Sequence, residues 1–226
     1  MRHVLDRPVW SALSTRHAAL AEGGDRARRY LASVTAFAAT RDDEPESLRA
    51  LEDLTRPDEG LLMVQADDIS LPPGLVASAK ACGVQMIAER PAARVTDGRV
   101  VRLTRADAEE MLALATLTKP GPFSLRAQDL GEFWGVKFDG RLAAMAGERM
   151  KQVGFTELSG VCTHPDFRGR GLARLLSLFV TGRIFERGEI AYLHAYEANS
   201  AAINLYESLG FKLRTRMNVA AVQRRG

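Results

Sequence analysis

The chain is poor in cysteine and histidine, contains no long apolar run, and carries no large excess of charge of either sign. Cys82 and Cys162 are the only thiols among 226 residues. They are too few for a disulfide framework and lack metal-ligand spacing, so no metal is expected. No uninterrupted apolar segment approaches the roughly 20 residues of a membrane-spanning helix, and Met1-Arg2-His3-Val4-Leu5-Asp6 lacks the apolar stretch of a signal peptide. No membrane partner is expected, and the cytosol is the expected location. The formal net charge is only +3. Basic clusters such as Arg26, Arg28 and Arg29, or Arg224 and Arg225, are interrupted or terminal, with no stacking aromatics between them, so nucleic acid is not an expected partner either. The apolar content is ample for a core, in one large domain or two small ones.

What is present is a β-run, Val161-Cys162-Thr163, that leads through His164-Pro165-Asp166-Phe167 into Arg168-Gly169-Arg170-Gly171-Leu172-Ala173-Arg174 and then into an amphipathic helix. Gly169 and Gly171 can take backbone angles closed to residues with a Cβ, so successive N–H groups can converge on one anion. The helix starting near Leu172 adds its unpaired amides and the positive end of its dipole. This is a phosphate cradle, but not a P-loop, since no lysine follows the glycines. Nor is it the dinucleotide fingerprint, since the position three after Gly171 is Arg174. What remains is Arg/Gln-x-x-Gly-x-Gly/Ala, filled by Arg168, Gly171 and Ala173.

A second element, Asn199-Ser200-Ala201-Ala202-Ile203-Asn204-Leu205-Tyr206-Glu207-Ser208-Leu209-Gly210-Phe211, reads as a short helix capped by Asn199 or Ser200 and ended by Gly210. Asn199 and Tyr206 lie two turns apart and share a face. Taken together, the two motifs resemble the coenzyme-A loop and closing helix of the GNAT N-acetyltransferase superfamily. The resemblance covers the chain from about residue 98 onward, and its specific motifs lie between Glu157 and Phe211. It implies an acyl-CoA N-acyltransferase of α/β (α+β) class, with a mixed, mostly antiparallel sheet flanked by helices. Residues 1–97 read as a smaller α/β region without a coenzyme motif, joined through Pro91-Ala92-Ala93-Arg94. That layout is similar to glycine N-acyltransferase-like proteins, in which a degenerate half-domain precedes the catalytic one. The expected domains are therefore 1–97 and 98–226, in a monomer or homodimer.

Local patterns place a strand at 100–103, a helix at 107–117, a hairpin of 133–138 and 142–150 about Asp139-Gly140, a strand at 156–163, a helix at 172–187 and strands at 191–196 and 211–222. Upstream, helical runs are expected at 10–21 and 46–54, a strand at 61–65, a helix at 73–82 and a strand at 84–88.

Acyl transfer to an amine requires a held thioester, a neutral nucleophile, a polarised carbonyl and a proton for the departing thiolate. The resemblance implies acetyl-CoA as cosubstrate and a primary amine of a small molecule or a protein as acceptor. The pyrophosphate is expected on the backbone donors of 168–173, with Arg168, Arg170 or Arg174 adding charge. The pantetheine arm is expected along Val161, Cys162 and Thr163, where one N–H, of Val161 or Cys162, faces the thioester oxygen. Tyr206 is the candidate general acid, because a phenol's pKa of about 10 lies close enough to a thiol's of about 8.5 to protonate a leaving thiolate. Glu157 stands eleven residues before Arg168, the offset at which the resemblance implies a strand-glutamate base, and is the candidate base, with Glu148 and Glu197 as alternatives. Simple alternation sets Glu157, Ser159, Val161 and Thr163 on one face and Cys162 on the other, unless Gly160 marks a bulge. Phe123, Trp134, Glu148 and His194 are candidates to line the acceptor site. The alternative functions are transfer of a longer acyl group, a glycine-like acceptor, or a coenzyme-binding module without turnover.

Overall fold

The computed structural model describes residues 3–90 and 95–225; the candidate linker, residues 91–94, lies outside them. In chain order the elements are α1 (Pro8–Leu13), β1 (Ala21–Gly23), β2 (Ala27–Tyr30), β3 (Ala38–Thr40), α2 (Pro45–Leu54), β4 (Leu61–Gln65), β5 (Leu75–Ala88), β6 (Val100–Leu103), α3 (Ala108–Thr118) and β7 (Phe133–Phe138). They continue with β8 (Arg141–Gln152), β9 (Phe155–Thr163), α4 (Leu172–Glu186), β10 (Ile190–Tyr196), α5 (Ser200–Ser208) and β11 (Phe211–Arg224). None of the described helices is long and apolar enough to cross a membrane.

The central sheet has eight strands in the order β4-β11-β5-β10-β9-β8-β7-β6, beside a small antiparallel sheet β1-β2-β3. Every neighbour in the large sheet is antiparallel except β9 and β10, which is the mixed, mostly antiparallel sheet expected. The β7–β8 turn is formed by Asp139 and Gly140, both at positive φ, as an Asp-Gly hairpin requires. Two helices cover opposite faces. Along β8, Ala144 and Ala146 pack with Leu176, Val180 and Ile184 of α4, whereas Met145 between them packs with Met111, Leu114 and Ala115 of α3. Side chains alternate across a strand, so one strand serves both layers, and the alanines let α4 lie close.

Two expectations upstream are corrected. The segment 73–82, read as a helix from its alanines, is the first part of β5, which runs unbroken through Ala88. β11 pairs with β5 from Leu75 to Ala88 and β10 from Gly83 to Ile87, so the misread segment is held by the long β11 ladder on one edge, continuous with a part paired on both, which outweighs a modest helix propensity. The run 10–21 is helical only through Leu13, followed by a 3₁₀ turn at Ala18–Leu20. Thr15 bonds back to the Ser11 carbonyl, a local alternative to continued helix.

Residues on both sides of position 97 share the large sheet, since β5 lies between β10 and β11. The amino-terminal segment also contributes Leu5, Val9 and Leu13 to a core with Met150, Tyr192 and Met217.

Candidate active site

β9 and β10 run parallel and pair only at Phe155–Glu157 with Ile190–Tyr192, although β9 continues to Thr163 and β10 to Tyr196. Beyond Glu157 the two strands part, and the β9 edge turned toward β10 is left open for a ligand to pair with. Gly160, at φ +63°, sharpens this divergence. Opposite it, Met145 faces Cys162 while Gly147 faces Ser159, so β9 carries one extra residue, a bulge of the glycine type. The bulge resets the alternation. Cys162 returns to the face of Ser159 and packs with Met145 beside α3, correcting the simple two-face reading.

The expected coenzyme residues converge on one groove. Val161, Cys162, Thr163, Arg168, Gly169, Arg170, Gly171, Leu172, Ala173, Arg174, Asn199 and Tyr206 all line it. Gly169 and Gly171 stand at φ +75° and +71°, and a Cβ on either would meet nothing within 4 Å. The loop is thus open on the side where an anion would sit, and Gly171 delivers the chain to the first turn of α4, whose leading amides have no intrahelical acceptor. The Thr163 hydroxyl, buried at the groove, has no hydrogen-bond partner among the described residues, a polar atom that a ligand would satisfy. These features fit a coenzyme-A pyrophosphate and its arm. Among the arginines, Arg170 lies over the Phe138 and Phe167 rings, and Arg174 donates to Ser208, tying α4 to α5. Asn199 caps α5 by accepting from the Ala202 N–H at 3.1 Å.

A second, deeper cavity of about 160 Å³ adjoins the groove and shares Val161, Asn199 and Tyr206 with it. Tyr206, 8% exposed, stands where the two meet. Burial, reinforced by Cys162 and Glu157 nearby, pushes its phenol up to about 12, so it is a proton donor throughout the neutral range. Burial likewise pushes the Cys162 thiol up to about 11, which keeps it protonated and unsuited to attack an acyl group.

Glu157 does not sit as a free base would. It is fully buried and grips Arg149 in a fork, accepting from Nε at 2.9 Å and Nη2 at 2.6 Å. It also accepts from His194 Nδ1 at 2.7 Å and from the Met150 N–H at 3.2 Å. Burial alone would raise its pKa, but the Arg149 charge and the hydrogen bonds from Arg149 and His194 hold it well below the usual carboxylate range. A base must have a pKa near the working pH and reach the proton it takes, and this carboxylate satisfies neither condition. It positions Arg149 and His194. On its other side His194 Nε2 lies 2.9 Å from the Gln85 side-chain nitrogen, whose oxygen accepts from Arg214. Gln85 therefore donates, and the ring proton is on Nδ1.

The other candidates separate. His194 lines the deep cavity. Phe123 lines a smaller neighbouring one with Ser159 and Gly160. Trp134 packs on Phe179 under α4, its ring centroid 4.9 Å away. Glu148 is buried in ion pairs with Lys151 and Arg187, 2.6 Å to each, and Glu197 pairs with Arg216 at 2.9 Å; neither lines the cavity. The expectation of a loop at 118–123 beside the acceptor site covers Lys119, but sequence reasoning missed Arg149 and the contributions of Phe37, Leu62 and Val64 to the cavity. An arginine on an alternating strand carries no local signal, and the last three lie outside the motif-bearing region.

A mixed sheet with a bulged strand, a parted parallel pair and a glycine loop at the head of a helix defines an acyl-CoA-binding transferase architecture. Comparison with known proteins agrees. The model of the FR47-like protein family matches residues 135–219. A crystal structure described as an acetyltransferase from the GNAT family, from Novosphingobium aromaticivorans, is 40% identical across 100% of both chains, with a TM-score of 0.94. A GCN5-related N-acetyltransferase from Kribbella flavida, 18% identical over 96% of both chains, has the same fold at a TM-score of 0.59. The [ribosomal protein bS18]-alanine N-acetyltransferase of Salmonella typhimurium is 41% identical over 76 residues, 32% of this chain and 49% of that protein. The mycothiol acetyltransferase of Thermobispora bispora is 43% identical over 70 residues, 30% of this chain and 23% of that protein. The matches thus span about half and about a quarter of those two relatives. The chain belongs to the GNAT family of acetyltransferases.

Proposed function

We propose that the protein moves the acetyl group of acetyl-CoA directly to a primary amine of a small molecule, with Tyr206 as the proton donor. The observation that supports this most is the junction at Tyr206, one buried phenol shared by a coenzyme-shaped groove and a small adjoining cavity. Acetyl-CoA, bound along β9, supplies an activated thioester. The backbone donors of 168–173 hold its pyrophosphate; charge-assisted hydrogen bonds contribute roughly 1.5–3 kcal/mol each, so two or three anchor it. The N–H of Val161 or Cys162, at the bulge, faces the thioester oxygen and stabilises the charge that develops there.

The acceptor nitrogen attacks in its neutral form. Tyr206 gives its proton to the leaving sulfur and regains one from the acylated nitrogen, directly or through water. The proton balance closes within that relay, so Glu157 need not act as a base. Glu157 fixes Arg149 and His194 in the cavity wall.

Titration with acetyl-CoA, followed by thiol-release assays against primary amines, tests the reading. Binding with release supports it. Binding without release across a broad amine panel favours a coenzyme-binding module, and absence of binding by the folded protein overturns the assignment of the groove.

A further inference from the structure

The acceptor cavity is lined by Lys119, Arg149 and His194 among its polar residues, and by no aspartate or glutamate. Glu157, the carboxylate nearest this wall, is screened behind Arg149 and His194, both of which direct their donors at it. That fork takes Arg149 Nε and Nη2. Nη1 remains, on the side of the Pro120–Gly121 loop, where a Cβ added to Gly121 would lie 3.8 Å from it. The guanidinium is further fixed by the Phe37 ring, 4.9 Å from its carbon. Lys119, in the left-handed conformation at the end of α3 (φ 51°), makes no ion pair among the described residues and lines both the cavity and the groove.

A wall that presents oriented donors and the Lys119 ammonium, with the Glu157 carboxylate held behind Arg149 and His194, has two consequences. It lowers the pKa of an amine brought against it, which favours the neutral nucleophile. It also leaves an oriented guanidinium N–H and a free ammonium for an anion. Resting on the transferase reading, we infer that the acceptor is a small amine bearing a carboxylate, seated on Arg149 Nη1 and drawn in by Lys119. Positively charged polyamines and plain alkylamines meet like charge in the same cavity.

The test compares three matched series by thiol release from acetyl-CoA: the common α-amino acids, their C-terminal amides, and the corresponding decarboxylated amines. Acetylation is expected among the free carboxylates, with kcat/KM for the matching amide and amine lower by about tenfold or more, the worth of a hydrogen bond to a charged group. Lys119→Glu is exposed and leaves the Arg149–Glu157 pair intact. It is expected to reduce the preference for carboxylate over amide by about two- to fivefold; because this is a ratio, effects on coenzyme binding cancel. Amides or plain amines used as well as the carboxylates would overturn the inference. So would acetyl-CoA binding with no turnover of any carboxylate, or a preference that Lys119→Glu leaves unmoved. Failure to bind acetyl-CoA would instead overturn the transferase reading beneath it.

Discussion

Side chains at this site are assigned by what already holds them. A glutamate on the strand before the glycine loop has the residue type of a base, and only its partners show that both its oxygens are taken. Glu157→Gln is expected to keep the acidic limb of the pH–rate profile, because in the proposed mechanism that limb belongs to the acceptor amine. The same change leaves the Arg149 charge buried without its partner, which costs about 3–5 kcal/mol, read as a lower denaturant midpoint. The carboxylate's pKa is depressed below its ordinary 4.5. Its stabilisation is therefore present above that value and lost as the pH falls below it, a dependence the variant should lose. Tyr206→Phe would remove the proposed relay while leaving the ring's packing, so kcat should fall about 10²-fold with little change in acetyl-CoA affinity. Equal activity of the Phe variant would remove Tyr206 from the chemistry. The glycine loop, Asn199 and Tyr206 stood out in the sequence because they fall in two local motifs that resemble those of a known family, with loop and cap chemistry that can be read from neighbouring residues. The Arg149–Glu157–His194–Gln85 chain was not, since its members come from four strands and meet only through register.

At the level of elements, the hairpin about Asp139-Gly140, β4, β6 and both long helices follow from turn chemistry and periodicity. β5 does not. Leu75-Val76-Ala77-Ser78-Ala79-Lys80-Ala81-Cys82 has the composition of a helix, and its strand conformation is imposed by neighbours far along the chain. The bulge in β9 lies between these cases: Gly160 announces an irregularity, but not which way the following residues turn. Phe133 fills the space on its outer side, with its Cε1 2.8 Å from where a Cβ on Gly160 would lie, and it presses on Gly147 as well. Gly160→Ala must therefore hold a positive φ and displace an aromatic ring. The backbone term alone costs about 1–2 kcal/mol, and the variant is expected to show both lower stability and a raised KM for acetyl-CoA. Normal coenzyme kinetics in a destabilised variant would separate the bulge from thioester binding.

Across the whole molecule, the two ends of the chain are joined through one sheet and one polar seam. Asp6 binds Arg214 at 2.7 Å, Arg214 holds Gln85, and Gln85 reaches both the Leu5 carbonyl at 3.0 Å and His194. Deleting residues 1–97 should leave β10 and β11 without the strand between them, and the remainder is expected to be insoluble or unfolded by circular dichroism. A soluble, acetyl-CoA-binding fragment would show the opposite. His17, buried and 2.8 Å from the Tyr30 hydroxyl, reports on the same union. Burial, with Lys151 and Arg16 nearby, lowers its pKa from 6.5 to about 4. The unfolded chain takes up this proton first, so stability is complete above pH 6.5 and declines toward pH 4, by about 3 kcal/mol. Chemical denaturation across that range should show the decline, and His17→Gln should flatten it.

The place of β5 also sets an order of events during synthesis. Once it has left the ribosome, the strand must wait for more than half of the chain before residues 211–224 arrive to close its edge. Until then it exposes unsatisfied backbone, and the closing step joins segments distant in sequence, which slows folding. The deep cavity beside the groove cannot exist before that closure, because Phe37, Leu62 and Val64 form it together with Met217 and Val219. Newly made protein therefore lacks this cavity until the last strand is in place, even though its glycine loop was translated earlier.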